Sequence, residues 1–273
     1  MPHTDPDDQP TVLALVPHPD DAEFYAGGAL AKMAADGARV VIVVATDGRR
    51  GSYHHDSESL APIRAEEMRR AAAALGAAPP ILLGYPDLEL DTLPAGALRE
   101  RFIWAIRAHK PHAVIAEDPY APFEVHPDHR AVAWAAAEAI AYAVLPLVHP
   151  EQLAGGLEPH FVVEKYFYGD TPAFANKIID ITETMPRKLA ALAEHRSQVE
   201  FLVAGVLQQA ALAGLDVQAV FGEAAHDPMA LLAWGMQTQA AEVGRQIGVQ
   251  FGEAFRYERF HALVEGMLTG AGE

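Results

Sequence analysis

The sequence predicts an open, mostly parallel α/β sheet of Rossmann-like type, with helices on both faces and a C-terminal α+β elaboration. Three observations carry that reading. Short β-branched runs without a polar face recur between Thr11 and Glu117. Ala-rich stretches of helical length separate them, and strands buried on both faces alternating with helices are parallel βαβ units. Gly or Pro stands at most of the joints, where helices stop and strands begin.

Thr11–Pro17 (TVLALVP) is a continuous apolar strand bounded by prolines. Phe24–Asp36 reads as a helix ended by Gly37, which takes the left-handed cap. Arg39–Thr46 (RVVIVVAT) is a second buried strand. Pro62–Leu75 is a helix with Pro in its first turn and Gly76 at its end. Ile81–Leu83 makes a short third strand, Ala95–His109 a helix closed by Pro111, and His112–Glu117 a fourth strand. A helix from about Asp128 to Ala143 follows. Beyond Val148 the periodicity loosens: Phe161–Tyr168 and Lys177–Ile181 read as strands, and Met185–Gly214 and Pro228–Gly248 as helices separated by a Gly-rich turn. One domain is expected over 1–273, with a solvated tail at 1–10, an α/β core at 11–148 and an elaboration at 149–273.

Composition narrows the function classes. With 37 acidic against 20 basic residues and a net charge of −17, the chain lacks the basic face of a nucleic-acid binder and is repelled by anionic membranes. It has no cysteine, which excludes disulfides, thiolate metal sites, iron–sulfur clusters and cysteine nucleophiles. Any metal must rest on His, Asp and Glu. The first ten residues carry neither a basic nor an apolar leader pattern, so a cytoplasmic protein is expected. No G-x-G-x-x-G follows the first strand and no G-x-S-x-G elbow occurs, against a dinucleotide fold and a serine hydrolase.

Two polar segments remain. Pro17-His18-Pro19-Asp20-Asp21 directly follows strand one, and His126-Pro127-Asp128-His129 follows strand four. In a doubly wound sheet of order 3-2-1-4-5, strands one and four are neighbours, and ligands bind beyond their carboxyl ends. His18, Asp21 and His129 then offer two imidazoles and a carboxylate, a donor set suited to Zn²⁺ with a position left for water. Zinc lowers the pKa of that water from about 16 toward about 7. Asp20 is placed to act as general base, and His126 to polarise a carbonyl or protonate a leaving nitrogen. Metal, base and acid together describe amide hydrolysis. A closed structural metal in a sugar- or nucleotide-binding protein would have no use for Asp20. Asp5–Asp8 has similar composition but precedes the first strand, so it reads as solvated charge. His54 and His55 read as surface or lid, and His195 and Gln198 as packing or support.

These residues resemble the LmbE-like (PIG-L) zinc-dependent N-acetylglucosaminyl deacetylases. The resemblance rests on PHPDD at 17–21, Thr46-Asp47-Gly48, Arg64-Ala-Glu-Glu67, HPDH at 126–129 and His195-Arg-Ser-Gln198. The stretch 118–130 and the tail Phe251-Gly-Glu-Ala-Phe-Arg256 look most like the diacetylchitobiose deacetylase branch. The resemblance implies one zinc per chain on His18, Asp21 and His129, Asp20 as base and His126 as acid. It also implies sugar contacts from Arg64 and Asp87, and a homo-oligomer, in that branch a hexamer, in which His261 serves a neighbouring subunit's site. The implied substrate is a small amino sugar such as diacetylchitobiose. A thiol-bearing glucosaminyl conjugate, or another small N-acyl amine, is the alternative within the same chemistry.

Overall fold

The computed structural model describes residues 9–169 and 175–270; residues 1–8 of the expected tail lie outside that range. In chain order the elements are β1 Thr11–Val16, α1 Asp21–Ala35, β2 Arg39–Thr46, α2 Ser57–Leu75, β3 Ile81–Tyr85, α3 Ala97–His109, β4 Ala113–Glu117 and α4 Pro127–Tyr142. Then come α5 Pro150–Ala154, β5 Glu164–Tyr168, β6 Lys177–Asp180, α6 Met185–Leu192, α7 Arg196–Leu212, α8 Val217–Phe221, α9 Pro228–Arg245, β7 Gly252–Glu258 and α10 Ala262–Gly270. The strands lie in the order β3-β2-β1-β4-β5-β7-β6. The first five are parallel, while β7 runs antiparallel to both β5 and β6.

Alternation along β1 and β2 explains why neither shows a polar face. Val12, Ala14 and Val16 join Val40, Ile42 and Val44 in one apolar cluster with α1 and α2. Leu13 and Leu15 join Val41, Val43 and Ala45 in a second cluster, under α3 and α4. Both faces are covered, as the sequence predicts. The register sets Val16 opposite Val44 and Leu15 opposite Ala116. The carboxyl ends of β1 and β4 are therefore level, and residues 17–21 rise beside the chain that leaves Glu117.

Three expectations need correction. Strand β7 is unforeseen; its sequence GEAFRYE alternates too weakly to announce a strand, and its pairing is wholly tertiary. The helix expected at 185–214 is two helices, α6 and α7, meeting at His195. The second helix of the core starts five residues before Pro62, at Ser57, because Asp56 accepts the N–H of Ser59 at 2.8 Å and caps it. No single helix among the described residues is long and apolar enough to cross a membrane.

The core also holds a charge. Arg107 of α3 is fully buried and donates to the carbonyls of Ala143, Leu145, Val148 and His149 and to the side chain of Gln152, at 2.8–3.2 Å. It thereby closes the turn after α4. Each buried acceptor left without a donor costs about 1–3 kcal/mol. Arg107→Met is therefore expected to lower the unfolding free energy by at least about 3 kcal/mol, read from chemical denaturation. A loss below about 1 kcal/mol would show that water replaces the guanidinium.

Candidate active site

The turn from β1 into α1 is built before any ligand is considered. Thr46, at the end of β2, donates its N–H (2.8 Å) and its hydroxyl (2.9 Å) to the Pro17 carbonyl. Asp20 then caps α1 with φ 134° and ψ −26°, a conformation costing a non-Gly residue about 1–3 kcal/mol. Arg64 of α2 holds it there. Its buried guanidinium donates to the carbonyls of Pro19 (2.6 Å) and Gly48 (2.9 Å) and to Asp20 Oδ1 (2.9 Å). Gly48 has φ 62°, and a Cβ there would lie 2.3 Å from that guanidinium. Glycine is the residue that fits.

Two histidines and one carboxylate meet above this turn. The His18 N–H donates to Asp21 Oδ2 at 2.7 Å, and His18 Nδ1 lies 3.1 Å from the same oxygen. Its other nitrogen, Nε2, lies 3.2 Å from Asp87 Oδ1 and 3.3 Å from Asp128 Oδ2. His129 mirrors this arrangement: Nε2 is 3.6 Å from Asp21 Oδ1, and Nδ1 is 2.9 Å from Glu117 Oε2. His126, the N-cap of α4, accepts the Asp128 N–H on its Nδ1 at 3.3 Å. The rings of His18, His126 and His129 are 4.7–5.1 Å apart between centroids.

Burial and charge set the protonation states. Burial pushes the Asp20 carboxyl up to about 6, against the pull of Arg64. Burial acts the same way on Asp21, but the positive charges of His129 and His18 outweigh it and hold that carboxyl well below the usual range. Burial opposes protonation of His129, yet Asp21 and Glu117 raise it to about 9. His18 is likewise raised against its burial, by Asp128, Asp21 and Asp87. His126 is lowered by burial and by the two neighbouring imidazoles. With Nδ1 already an acceptor, neutral His126 carries its proton on Nε2.

These residues fit a metal. Each of His18 and His129 turns one nitrogen to Asp21 and the other to a carboxylate outside the cluster, the second-partner arrangement that orients metal-ligating imidazoles. Without an ion, protonated histidines supply the positive charge that this group of carboxylates requires. One nitrogen from each of His18, His126 and His129 lies within 4.8 Å of the others, and His18 groups in the same way with Asp87 and Asp128, so the geometry alone admits His126 as a ligand.

His18, Asp20, Asp21, His126 and His129 thus come together at the carboxyl ends of β1 and β4. Arg64 and Asp87 join them, but Arg64 grips the turn and Asp87 accepts the Arg50 N–H at 3.0 Å. His261 does not join. It follows β7, whose Glu258 pairs with Lys165 at the start of β5, so it belongs to the opposite rim. His54 and His55 are exposed. His195 is fully buried, with Nε2 at 3.4 Å from the equally buried Glu23. Sequence reasoning missed Glu117, the support role of Asp128, and Glu124, which accepts the His126 N–H at 2.6 Å and lies 3.8 Å from His129 Nδ1. The available signal was position: one acid ends β4, and another lies inside the histidine motif.

The chain is similar to known proteins in both sequence and structure. The sequence profile of PIG-L, GlcNAc-PI de-N-acetylase, matches residues 13–140. Diacetylchitobiose deacetylase of Thermococcus kodakarensis is 35% identical over 190 residues, 68% of this chain and 69% of that protein. The probable N-acetyl-alpha-D-glucosaminyl L-malate deacetylase 2 of Bacillus cereus is 27% identical over 200 residues, 70% of this chain and 85% of that one. The structure of N,N'-diacetylchitobiose deacetylase from Pyrococcus horikoshii, complexed with its inhibitor MPG, superposes with a TM-score of 0.75 at 32% identity. That match covers 92% of this chain and 85% of the other. The shared profile contains both histidine motifs, and the structural match covers 92% of the chain: the chain belongs to the PIG-L (GlcNAc-PI de-N-acetylase) family.

Proposed function

We propose that this chain is a single-domain, zinc-dependent hydrolase that removes the acetyl group from the nitrogen of an N-acetylglucosamine-type sugar such as diacetylchitobiose. The observation that carries this reading is the pairing of His18 and His129 across Asp21, each backed by a carboxylate, with Asp20 beside them. Membership of a deacetylase family and the names of the relatives support the substrate class.

His18, Asp21 and His129 hold the ion. When bound, it supplies Lewis acidity and makes a water molecule acidic enough to react at neutral pH. Asp20 takes a proton from the attacking water. Arg64 occupies its Oδ1, so Oδ2 is the oxygen left to receive it. Neutral His126 donates a hydrogen bond from Nε2 to the amide oxygen as charge develops there, and the proton taken up by Asp20 passes to the leaving nitrogen as the C–N bond breaks. Arg64 and Asp87 would meet sugar hydroxyls while also bracing Asp20 and His18. From the opposite rim, His261 would reach such a site only in another copy of the chain, as in the homo-oligomer that the resemblance implies.

The test is acetate release, followed by mass spectrometry, from N-acetylglucosamine, its dimer and glucosaminyl conjugates. Acetate is expected from the dimer, lost with a chelator and restored by zinc. Release from a conjugate alone would move the substrate to that class. No release from any amide by metal-loaded protein overturns the hydrolase.

A further inference from the structure

Helix α1 bears the turn of Asp20 and Asp21 at its start, and an ion pair from the C-terminal part of the chain is set against its second turn. Lys188 of α6 and Glu253 of β7 are 3% and 5% exposed, and Lys188 Nζ donates to Glu253 Oε1 at 2.6 Å. Both residues also engage the backbone of α1. Glu253 accepts the N–H of Gly28 (3.0 Å) and of Ala29 (2.8 Å), and Lys188 Nζ donates to the Phe24 carbonyl (2.7 Å). The carbonyl of residue 24 and the N–H of residue 28 are the two ends of one ordinary helix rung. Here a carboxylate and an ammonium partner both ends.

The helix is shaped to admit the pair. A Cβ on Gly27 would stand 3.1 Å from Lys188 Cγ, and one on Gly28 would stand 2.7 Å from Ile181. The Thr184 hydroxyl donates to the Gly28 carbonyl at 2.8 Å. Glu253 therefore acts toward Gly28 and Ala29 as a capping carboxylate acts at a helix start. It engages the helix one turn beyond the stretch that holds Asp21, the buried Glu23, and Tyr25, whose ring lies 6.5 Å from that of His129. Side chains inserted at a helix rung are a recognised source of bends.

We propose that Lys188 and Glu253 are positioning residues for the metal-and-base turn. Their ion pair fixes the angle at which the first turn of α1 presents Asp20 and Asp21, and so makes the C-terminal strands part of the site's construction. This rests on the reading of Asp21 as a metal ligand.

A double variant, Lys188→Met with Glu253→Leu, tests it. Replacing a buried ion pair by apolar residues of similar size is often tolerated or stabilising. The expected result is a folded protein with an unchanged far-UV spectrum, Co²⁺ bound at least tenfold more weakly, and an altered visible absorption of the bound cobalt. Glu253→Asp is the second variant. It keeps the charge facing Lys188 but is too short to hold both N–H groups, and the same change is expected to a smaller extent. Wild-type affinity and spectrum in these variants would overturn the inference, whatever their melting temperatures. Wild-type protein that takes up no cobalt would instead overturn the metal reading beneath it.

Discussion

The Asp20→Asn protein keeps its metal and loses turnover by about 10²–10⁴-fold, the usual contribution of a positioned general base. Asn is nearly the same size, tolerates positive φ better than most residues, and can still accept the Arg64 N–H through its amide oxygen. The turn therefore survives, and the lost property is the capacity to take a proton. Ligation by His18, Asp21 and His129 is untouched, so metal content measured after dialysis should equal that of the wild type. A pH profile adds a second check. Burial places the Asp20 carboxyl near 6, and the base works only when ionised, so wild-type activity should fall as pH drops through about 6. With metal held saturating across the profile, that acid limb should be absent from the residual activity of Asp20→Asn. A variant within tenfold of wild type would take the base role away from Asp20.

Much of this site is legible before folding because its residues sit where the chain's grammar changes. The β-branched runs at 11–17, 39–46 and 112–117 can be read as buried parallel strands, and the order of such sheets then brings His18 and His129 together. What cannot be read is anything whose reason lies across the molecule. Asp128 looks like a helix-start acid, yet its Oδ1 and Oδ2 accept the N–H groups of Leu90 (3.0 Å) and Leu88 (2.7 Å) and its Oδ2 faces His18. Arg64 lies in the middle of α2, and only the path of the turn at Asp20 explains it. Strand β7 depends on pairing with β5 and β6, so local propensity carries little of it. His195, which reads as packing or support from the sequence, is a fully buried imidazole at the break between α6 and α7, a junction that helical periodicity does not mark.

The largest effect on metal content is expected from the ligands. The His18→Ala and His129→Ala proteins should emerge from dialysis with metal near zero by elemental analysis, while remaining folded. Removing one donor of three leaves Asp21 and a single imidazole, too few to fix a tetrahedral catalytic site. Glu117→Gln should be milder. Glu117 meets the remote nitrogen of His129 at 2.9 Å, and loss of such an outer carboxylate typically weakens metal binding about 10–100-fold. The graded result separates a ligand from its support. Proton linkage supplies the sign of the pH dependence. In the metal-free site His129 is raised to about 9, so at neutral pH the ion must displace a proton to bind. Affinity should climb as pH rises toward about 9 and level off above it, and a proton should appear in solution on loading at pH 7. Binding that is flat between pH 5 and 8, or full metal content in either alanine variant, would place the ion elsewhere and leave the paired imidazoles as a charge-neutralising device for the carboxylates around them.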